Sequence, residues 1–267
     1  MSTSYLETRH HELRKTRLTM IDGNLAGNLR AVQAGSSARA RRDGYWGFAS
    51  APRADDATRE RVQREACANA AAMAGFGSRR APALPGETWR GTQAEHGRGE
   101  LPAAEAIDRL AELHAHCMKR YPALRSTRLM ATDEHHVKEL QSADGARSLG
   151  RIQRAAAYVT LVAEDADGQP IELTEIVSDI GSLADLDWSL ATLAPRLEAL
   201  HAHLQARRHA VPARGGPQRV VMAPEMAGIL AHEAMGHPCE ADSVLGGAVT
   251  ADLVGQPVAS ALVSMAD

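Results

Sequence analysis

The sequence predicts an α+β protein, in which antiparallel sheets with packed helices form two N-terminal units and the start of a mainly β domain follows. Runs of alternating side chains are separated by the pairs Asp22-Gly23, Asp43-Gly44 and Asp144-Gly145, as is typical of antiparallel strands joined by tight turns. Other stretches carry apolar residues at helical spacing, which predicts helices. With 267 residues, the chain is long enough for one large domain or two smaller ones.

The first unit, residues 1–76, is predicted to hold an antiparallel meander followed by one helix. An Asp-Gly pair between two alternating runs is a strong hairpin signal, because the tight turn needs residues that tolerate positive φ. The helix is predicted to begin at Asp55 or Asp56, either of which suits an N-cap, and to run to about Ala74. The predicted strands cover residues 17–21, 24–32, 38–42 and 45–50.

The second unit, residues 103–212, follows a predicted linker. Residues 77–102 are rich in glycine and proline and lack periodicity, so they are predicted to be a linker or long surface loop. A helix is expected over 103–120, where Ile107, Leu110 and Leu113 share one face. Strands are predicted over 125–132, 136–142, 147–163 and 170–178, and a second helix over 186–210.

The last segment, residues 213–267, is predicted to begin with a linker and a short buried strand over 219–223. Pro224 suits the first position of a helix, and Glu225 suits the positive end of the helix dipole. Met226, Ile229 and Leu230 then lie at helical spacing, which predicts that they are core residues. Short strands are expected over 249–265.

A metal-site signature follows this apolar stripe: His232-Glu233-Ala234-Met235-Gly236-His237. On a regular α-helix, residues five apart diverge by about 140°, so the two histidines meet only if the helix ends or distorts between them. Gly236 accepts unusual backbone angles and Pro238 disfavours helical geometry at His237, so we expect the helix to end near Gly236. A π-bulge would have the same effect.

These residue types suit metal-dependent hydrolysis. Two imidazoles can hold a divalent metal, and a carboxylate beside the first of them, Glu233, can take a proton from metal-activated water. The alternative interpretation is a polar helix end with two solvent-facing histidines. The neighbouring pair His135 and His136 is interpreted as strand or turn surface rather than as a second metal site.

The residues from Ala231 to Pro238, followed by Glu240-Ala241-Asp242, resemble the signature of the TldD/PmbA metallopeptidases. Near the N-terminus, Asp43-Gly44-Tyr45-Trp46-Gly47-Phe48-Ala49 resembles the glycine-aromatic hairpin of that family. The likeness is to the TldD-type subunit, because the PmbA/TldE-type partner typically lacks the His-Glu-x-x-x-His motif. By this resemblance, residues 213–267 are the start of a metallopeptidase catalytic domain.

The resemblance implies a zinc-dependent peptidase that hydrolyses extended or unfolded peptides in the cytoplasm. It assigns His232 and His237 as zinc ligands and Glu233 as the general base. It also implies a closed dimer, either a homodimer or a heterodimer with a PmbA/TldE-type subunit.

Family members take a third zinc ligand from a cysteine far downstream, and Asp267 ends this sequence before any such position. Residues that could replace it locally are Cys239, Glu240, Asp242 and Asp252. Cys67 and Cys117 lie in apolar helical patterns and are interpreted as core thiols. The missing ligand motivates an alternative function, a non-catalytic fragment that serves as a peptide- or partner-binding module.

Composition argues against several classes of function. The net charge is −3, and the short basic run Arg39-Ala40-Arg41-Arg42 alternates like a solvent-facing strand, so no nucleic-acid binding is expected. Three cysteines without a CxxC pair indicate a reducing compartment. We find no signal peptide and no apolar window long enough for a membrane span, which favours a cytoplasmic protein. With three Trp, four Tyr and two Phe, the core is expected to be aliphatic.

Overall fold

The structure is a computed structural model that describes residues 3–73, 75, 90–94, 99–240, 243–244, 247–253 and 255–265. The chain divides into two compact units, Met1–Ala210 and Val211–Asp267. Its described residues in the first unit form a seven-stranded sheet and three long helices. The second contains short helical segments and turns. Within the described part of the chain, no helix is both long enough and apolar enough to cross a lipid bilayer.

The sheet of the first unit joins strands from both ends of that unit. Its strands are β1 (Thr3–Ile21), β2 (Asn24–Arg42), β3 (Tyr45–Pro52), β4 (Arg90–Ala94), β5 (Ser126–Ser142), β6 (Arg147–Glu164) and β7 (Pro170–Ile180). They are arranged in the order β3-β2-β1-β5-β6-β4, and β7 also pairs with β6. Six strands pair antiparallel, whereas β4 pairs in parallel with the first residues of β6.

Three helices pack on the sheet: α1 (Asp56–Met73), α2 (Ala103–Arg120) and α3 (Leu190–Arg207). Side chains along a strand alternate between the two faces, and even-numbered residues such as Leu18 and Met20 of β1 and Ala38 and Ala40 of β2 are buried toward the helices. The opposite face, which we call the open face, carries Lys15 and Arg17 of β1. One face of the sheet is therefore packed against helices, while the other carries charged side chains, as antiparallel sheets allow.

Two hydrophobic clusters hold the helices on the sheet. The larger lies under α2 and α3, is mostly aliphatic and includes the fully buried Trp188. The indole N–H of Trp188 donates to the carbonyl oxygen of Leu183 at 3.1 Å, so its one polar group is satisfied. The smaller cluster lies under α1 and consists of Val62 and six alanines of α1, β2 and β3. Small residues there let the helix approach the sheet closely.

The α+β class predicted from the sequence is confirmed, although the two N-terminal units share one sheet. β1 pairs with β5 from Glu7 to Ile21, across the predicted boundary between residues 76 and 103. The strands are also longer than predicted: β2 and β5 are each continuous where two strands were expected, and β1 begins at Thr3. The added part of β1 pairs with β2 and, from Glu7 onward, with β5. This pairing supports a polar stretch that an apolar pattern alone would not predict to be a strand.

The predicted helix over 103–120 coincides with α2, and α3 begins at Leu190 rather than at Leu186. Ser189 caps α3, its hydroxyl accepting from the N–H of Thr192 at 3.4 Å. The predicted linker over 77–102 contains β4, so it is not purely a loop, although most of it, like Ala74, lies outside the described residues.

The second unit differs most from the sequence prediction. The predicted strand over 219–223 is wrong: these residues have no regular structure, and Val221 is 94% exposed. The strands expected over 249–265 are also absent from the described residues there, which form turns. A strand needs a neighbour for its backbone hydrogen bonds, and apolar composition by itself supplies none. Met226, Ile229 and Leu230, predicted as core, are about half exposed for the same lack of a partner.

Candidate metal centre

The motif lies in the second unit on three consecutive helical segments. α4 (Pro224–Ala231) begins with Pro224 at its first position and Glu225 in its first turn, as predicted. A π-helical turn over His232–Gly236 follows, and α5 (His237–Cys239) continues the chain. The candidate ligands therefore occupy the two ends of a single widened turn.

This π turn is the second of the two routes that the sequence left open. The N–H of His237 donates to the carbonyl oxygen of His232, a bond spanning five residues. The expectation that Pro238 forces His237 out of helical geometry is wrong, because His237 has φ −57° and ψ −46°. Pro238 falls in the first turn of α5, where a missing N–H is tolerated.

The two imidazole rings lie together on one side of the turn. Their centroids are 4.3 Å apart and the ring planes cross at 84°. Ligand atoms of His232, Glu233 and His237 all lie within 4.8 Å of one another, and all three side chains are exposed. Two imidazole nitrogens and a carboxylate oxygen are a donor set that zinc accepts, so these residues fit such an ion.

Gly236 contributes space rather than an unusual backbone angle. Its φ is −60°, which any residue can adopt, whereas a Cβ added to it would lie 3.3 Å from Nδ1 of His232. The sequence marks this glycine for its conformational freedom, but the structure shows that the absent side chain leaves room for the first imidazole.

The residues proposed as substitutes for the third ligand do not join this group. Cys239 and Glu240 are exposed beside it but outside the cluster of three, as is Asp252 within the described residues. Asp242 lies outside the described residues. Among the core thiols, Cys117 is buried and burial raises the pKa of its thiol to about 11, which makes it unreactive.

The structure also pairs His136 with His11, a residue that sequence reasoning missed. Nε2 of His11 lies 3.0 Å from Nδ1 of His136, and the carboxylate of Glu134 lies 3.5 Å from the other nitrogen of His136. Burial lowers the pKa of His11, and the nearby positive charge of Lys138 lowers it further. This environment favours a neutral, hydrogen-bonded His11 over a second cation site. No local sequence pattern predicts such a contact between distant strands.

Comparison with known proteins supports the resemblance read from the motif. No protein-family profile matches the chain. A curated relative, the zinc metalloprotease TldD homolog of Saccharolobus solfataricus (strain ATCC 35092 / DSM 1617 / JCM 11322 / P2), is 28% identical over 149 residues. The match covers 54% of this chain and 32% of that protein, so the chain spans about a third of this relative.

Two solved structures share the fold, both described as proposed modulators of a DNA gyrase. The one from Thermotoga maritima MSB8 has a TM-score of 0.53 at 16% identity and covers 68% of this chain and 41% of its own. The one from Bacteroides thetaiotaomicron VPI-5482 has a TM-score of 0.55 at 12% identity and covers 73% and 46%. At these identities the likeness concerns the fold alone.

The α+β fold and the curated relative together indicate a protein related to TldD-type metalloproteases. These comparisons support membership of the TldD/PmbA family, at the modest identity given above.

Proposed function

We propose that this chain carries part of the active site of a zinc-dependent peptidase of the TldD type. The observation that carries the proposal is the π turn, because it brings His232 and His237 together with Glu233 beside them. Two histidines that only stabilised the turn would not require a carboxylate beside them. The exposure of all three side chains is also compatible with access by a polypeptide substrate.

Each residue has a distinct role in the proposed reaction. The imidazoles of His232 and His237 would hold the ion. Zinc, when bound, would polarise the scissile carbonyl and lower the pKa of a water molecule. Glu233 would accept the proton of the attacking water and deliver it to the leaving nitrogen.

The family resemblance and the curated relative support the remaining parts of the proposal. The substrates would be extended or unfolded peptides, and the site would be completed by a further protein ligand, as zinc enzymes usually use three. A dimer, formed with a second copy or with a related TldE-type subunit, would enclose the site. The cysteine pattern of the sequence favours the cytoplasm.

The first test measures zinc per purified chain for the wild type, His232→Ala and Glu233→Gln. We expect close to one zinc in the wild type, a loss in His232→Ala, and retention in Glu233→Gln. Hydrolysis of an unfolded protein should then disappear in Glu233→Gln although its zinc remains. Continued cleavage by that variant would rule out Glu233 as the base, and absence of zinc from the wild type would show that these residues alone do not hold it.

The second candidate function is a non-catalytic peptide- or partner-binding module. It is favoured by the cluster itself, in which the described residues offer two histidines and one carboxylate and neither Cys239 nor Glu240 joins them. A chain that binds peptides equally well with and without zinc, and cleaves none, would support this function over the peptidase.

A further inference from the structure

One half of β2 has an unpaired edge. β3 pairs with β2 only over residues 35–42, and the N–H of Arg53 donates to the carbonyl oxygen of Ala34 at 3.2 Å, where this pairing ends. Residues 24–34 of β2 pair with β1 on one side. On the other side, no strand in the described part of the chain pairs with them.

The backbone groups that face this edge can be assigned from the pairing. The Ala34 carbonyl points away from β1, and backbone direction alternates along an antiparallel strand. Asn28, Arg30 and Val32 therefore direct their N–H and C=O groups outward, and all three residues are exposed. Toward the turn of the β1–β2 hairpin, a register shift between Thr19 and Met20 ends this regular alternation of backbone groups. Such a row of unpaired groups is a template for an added strand.

Backbone hydrogen bonds join β2 or its turn to neighbouring segments at both ends of this edge. At the tip of the β1–β2 hairpin, the N–H of Asp22 donates to the carbonyl oxygen of Thr127 at 3.1 Å, and the N–H of Thr127 donates to Oδ1 of Asp22 at 3.0 Å. At the other end lies Pro52, the last residue of β3, beside a cleft of about 420 Å³. The space beside the unpaired part of β2, which we call the gap, accepts one strand in line with β3. That strand would have about eight residues and be roughly 27 Å long at about 3.4 Å per residue.

The charges beside this gap select the kind of strand that fits. Arg30, which pairs with Thr16 of β1, points to the helix-covered face, and Arg17, the next residue of β1, points to the open face. Neither forms an ion pair with a side chain in the described residues, whereas Arg14 is paired with Glu12. Two guanidinium groups that have no ion-pair partner among the described side chains, one on each face, are complementary to acidic side chains at successive positions of an added strand.

We infer that the free edge of β2 docks an extended acidic peptide segment by strand addition. Main-chain hydrogen bonds to Asn28, Arg30 and Val32 would supply affinity, and Arg17 and Arg30 would select for acidic side chains. The inference rests on the proposed function in one respect, since it makes this edge a docking site for the extended substrates of that peptidase. It concerns a surface of the first unit and needs no metal.

The test uses the full chain in chelator-containing buffer and a fluorescent ten-residue Thr peptide with two successive Glu at its centre, so that one Glu faces each side of the sheet. Binding is followed by anisotropy for the wild type, Arg30→Ala and Arg30→Pro. Both variants lack the charge, but only proline removes the outward N–H, and edge strands tolerate proline where that group faces solvent. We expect Arg30→Pro to bind about tenfold more weakly than Arg30→Ala, because a backbone donor is lost.

Two further probes keep the inference falsifiable if Arg30→Pro fails to fold, which a thermal melt would reveal. A peptide N-methylated at alternate residues should lose binding to the wild type, and a peptide with Lys in place of both Glu should bind more weakly. Equal affinity of the two Arg30 variants, with equal affinity of the methylated peptide, would overturn the inference. So would wild-type self-association that Arg30→Pro abolishes, because the edge would then join two copies of the chain.

The result is independent of catalysis because binding is measured without metal. Peptide binding at this edge, together with no cleavage by the zinc-loaded and completed site, would leave the inference standing and refute the peptidase. Cleavage without binding at the edge would refute only the inference.

Discussion

The backbone N–H of His237 donates to the carbonyl oxygen of His232, and this bond sets their imidazole rings 4.3 Å apart at an angle of 84°. A regular α-helix would point residues at this spacing about 140° apart. The widened turn therefore makes a five-residue spacing usable for one metal. π turns are rare and are often found at functional sites, which is consistent with a site here.

Gly236→Ala should weaken zinc binding without weakening the helix. The new Cβ would lie 3.3 Å from Nδ1 of His232, so the imidazole must shift from its position in the cluster. Alanine is a better helix former than glycine by about 1 kcal/mol, so loss of helicity is not the expected cause. We expect zinc affinity to fall about tenfold, in the range seen when residues that orient a ligand are changed, as measured by competition with a chromophoric chelator.

Gly228→Ala is the matched control for this prediction. Gly228 lies in α4, and an added Cβ would meet nothing within 4 Å, so it receives the same helix-forming substitution without contact to a ligand. Its zinc affinity should equal that of the wild type. Equal affinities in both variants would mean that Gly236 does not position His232.

Gly47→Ala should strongly destabilise the first unit. A Cβ at Gly47 would lie 2.2 Å from the carbonyl oxygen of Ala66 and 2.2 Å from the N of Ala70, so α1 would have to move off the sheet. Overpacking of a tight core typically costs about 1–3 kcal/mol, and a clash with backbone belongs at the upper end. The measurement is the free energy of unfolding from chemical denaturation.

Gly27→Ala provides the comparison on the same sheet. Its added Cβ would meet only the side chain of Thr19, at 3.6 Å, which is an ordinary contact. We expect its free energy of unfolding to change by less than about 0.5 kcal/mol, as for most surface substitutions. A Gly47→Ala protein as stable as Gly27→Ala would contradict the close packing of α1 on β3.

Features that depend on local sequence were predictable, and those that depend on distant partners were not. The Asp22-Gly23 hairpin and the helix over 103–120 follow from turn chemistry and an apolar stripe, which lie within a few residues of each other. The extension of β1 to Thr3 depends on pairing with β2 and β5, which leaves no signal in β1 itself. The same limit hid the contact between Gly47 and α1.

At the candidate site, the sequence predicted which residues meet but not the backbone that joins them. The spacing of His232 and His237 requires a distorted helix, and both a helix end and a π turn satisfy it. Pro238 favoured the first, because the residue before proline avoids helical angles. The structure instead keeps His237 helical and places the proline in the first turn of α5. The hydrogen bond from the N–H of His237 to the carbonyl oxygen of His232 outweighs this preference for extended angles before proline.

Glu7 forms the centre of a polar cluster on the open face of β1. Its carboxylate accepts hydrogen bonds from Tyr5 at 2.7 Å, from Arg9 at 2.5 Å and from Arg39 at 2.9 Å. Burial alone would raise the pKa of Glu7, but these three donors outweigh it and hold that pKa below its usual range. The charged form of Glu7 therefore stabilises the folded chain.

Glu7→Gln should lower the free energy of unfolding at pH 7 by about 2 kcal/mol, the scale of hydrogen bonds to a buried charge. Because the folded pKa lies below the unfolded one, this contribution is complete above the ordinary carboxyl pKa and is lost as the pH falls through the folded value. The difference between wild type and variant should thus close in acid, as denaturation at several pH values would show. Glu12→Gln, which breaks a more exposed pair with Arg14, should cost less than about 0.5 kcal/mol throughout. A Glu7→Gln deficit that stays constant down to the acid limit would mean that packing, rather than charge, is what Glu7 contributes.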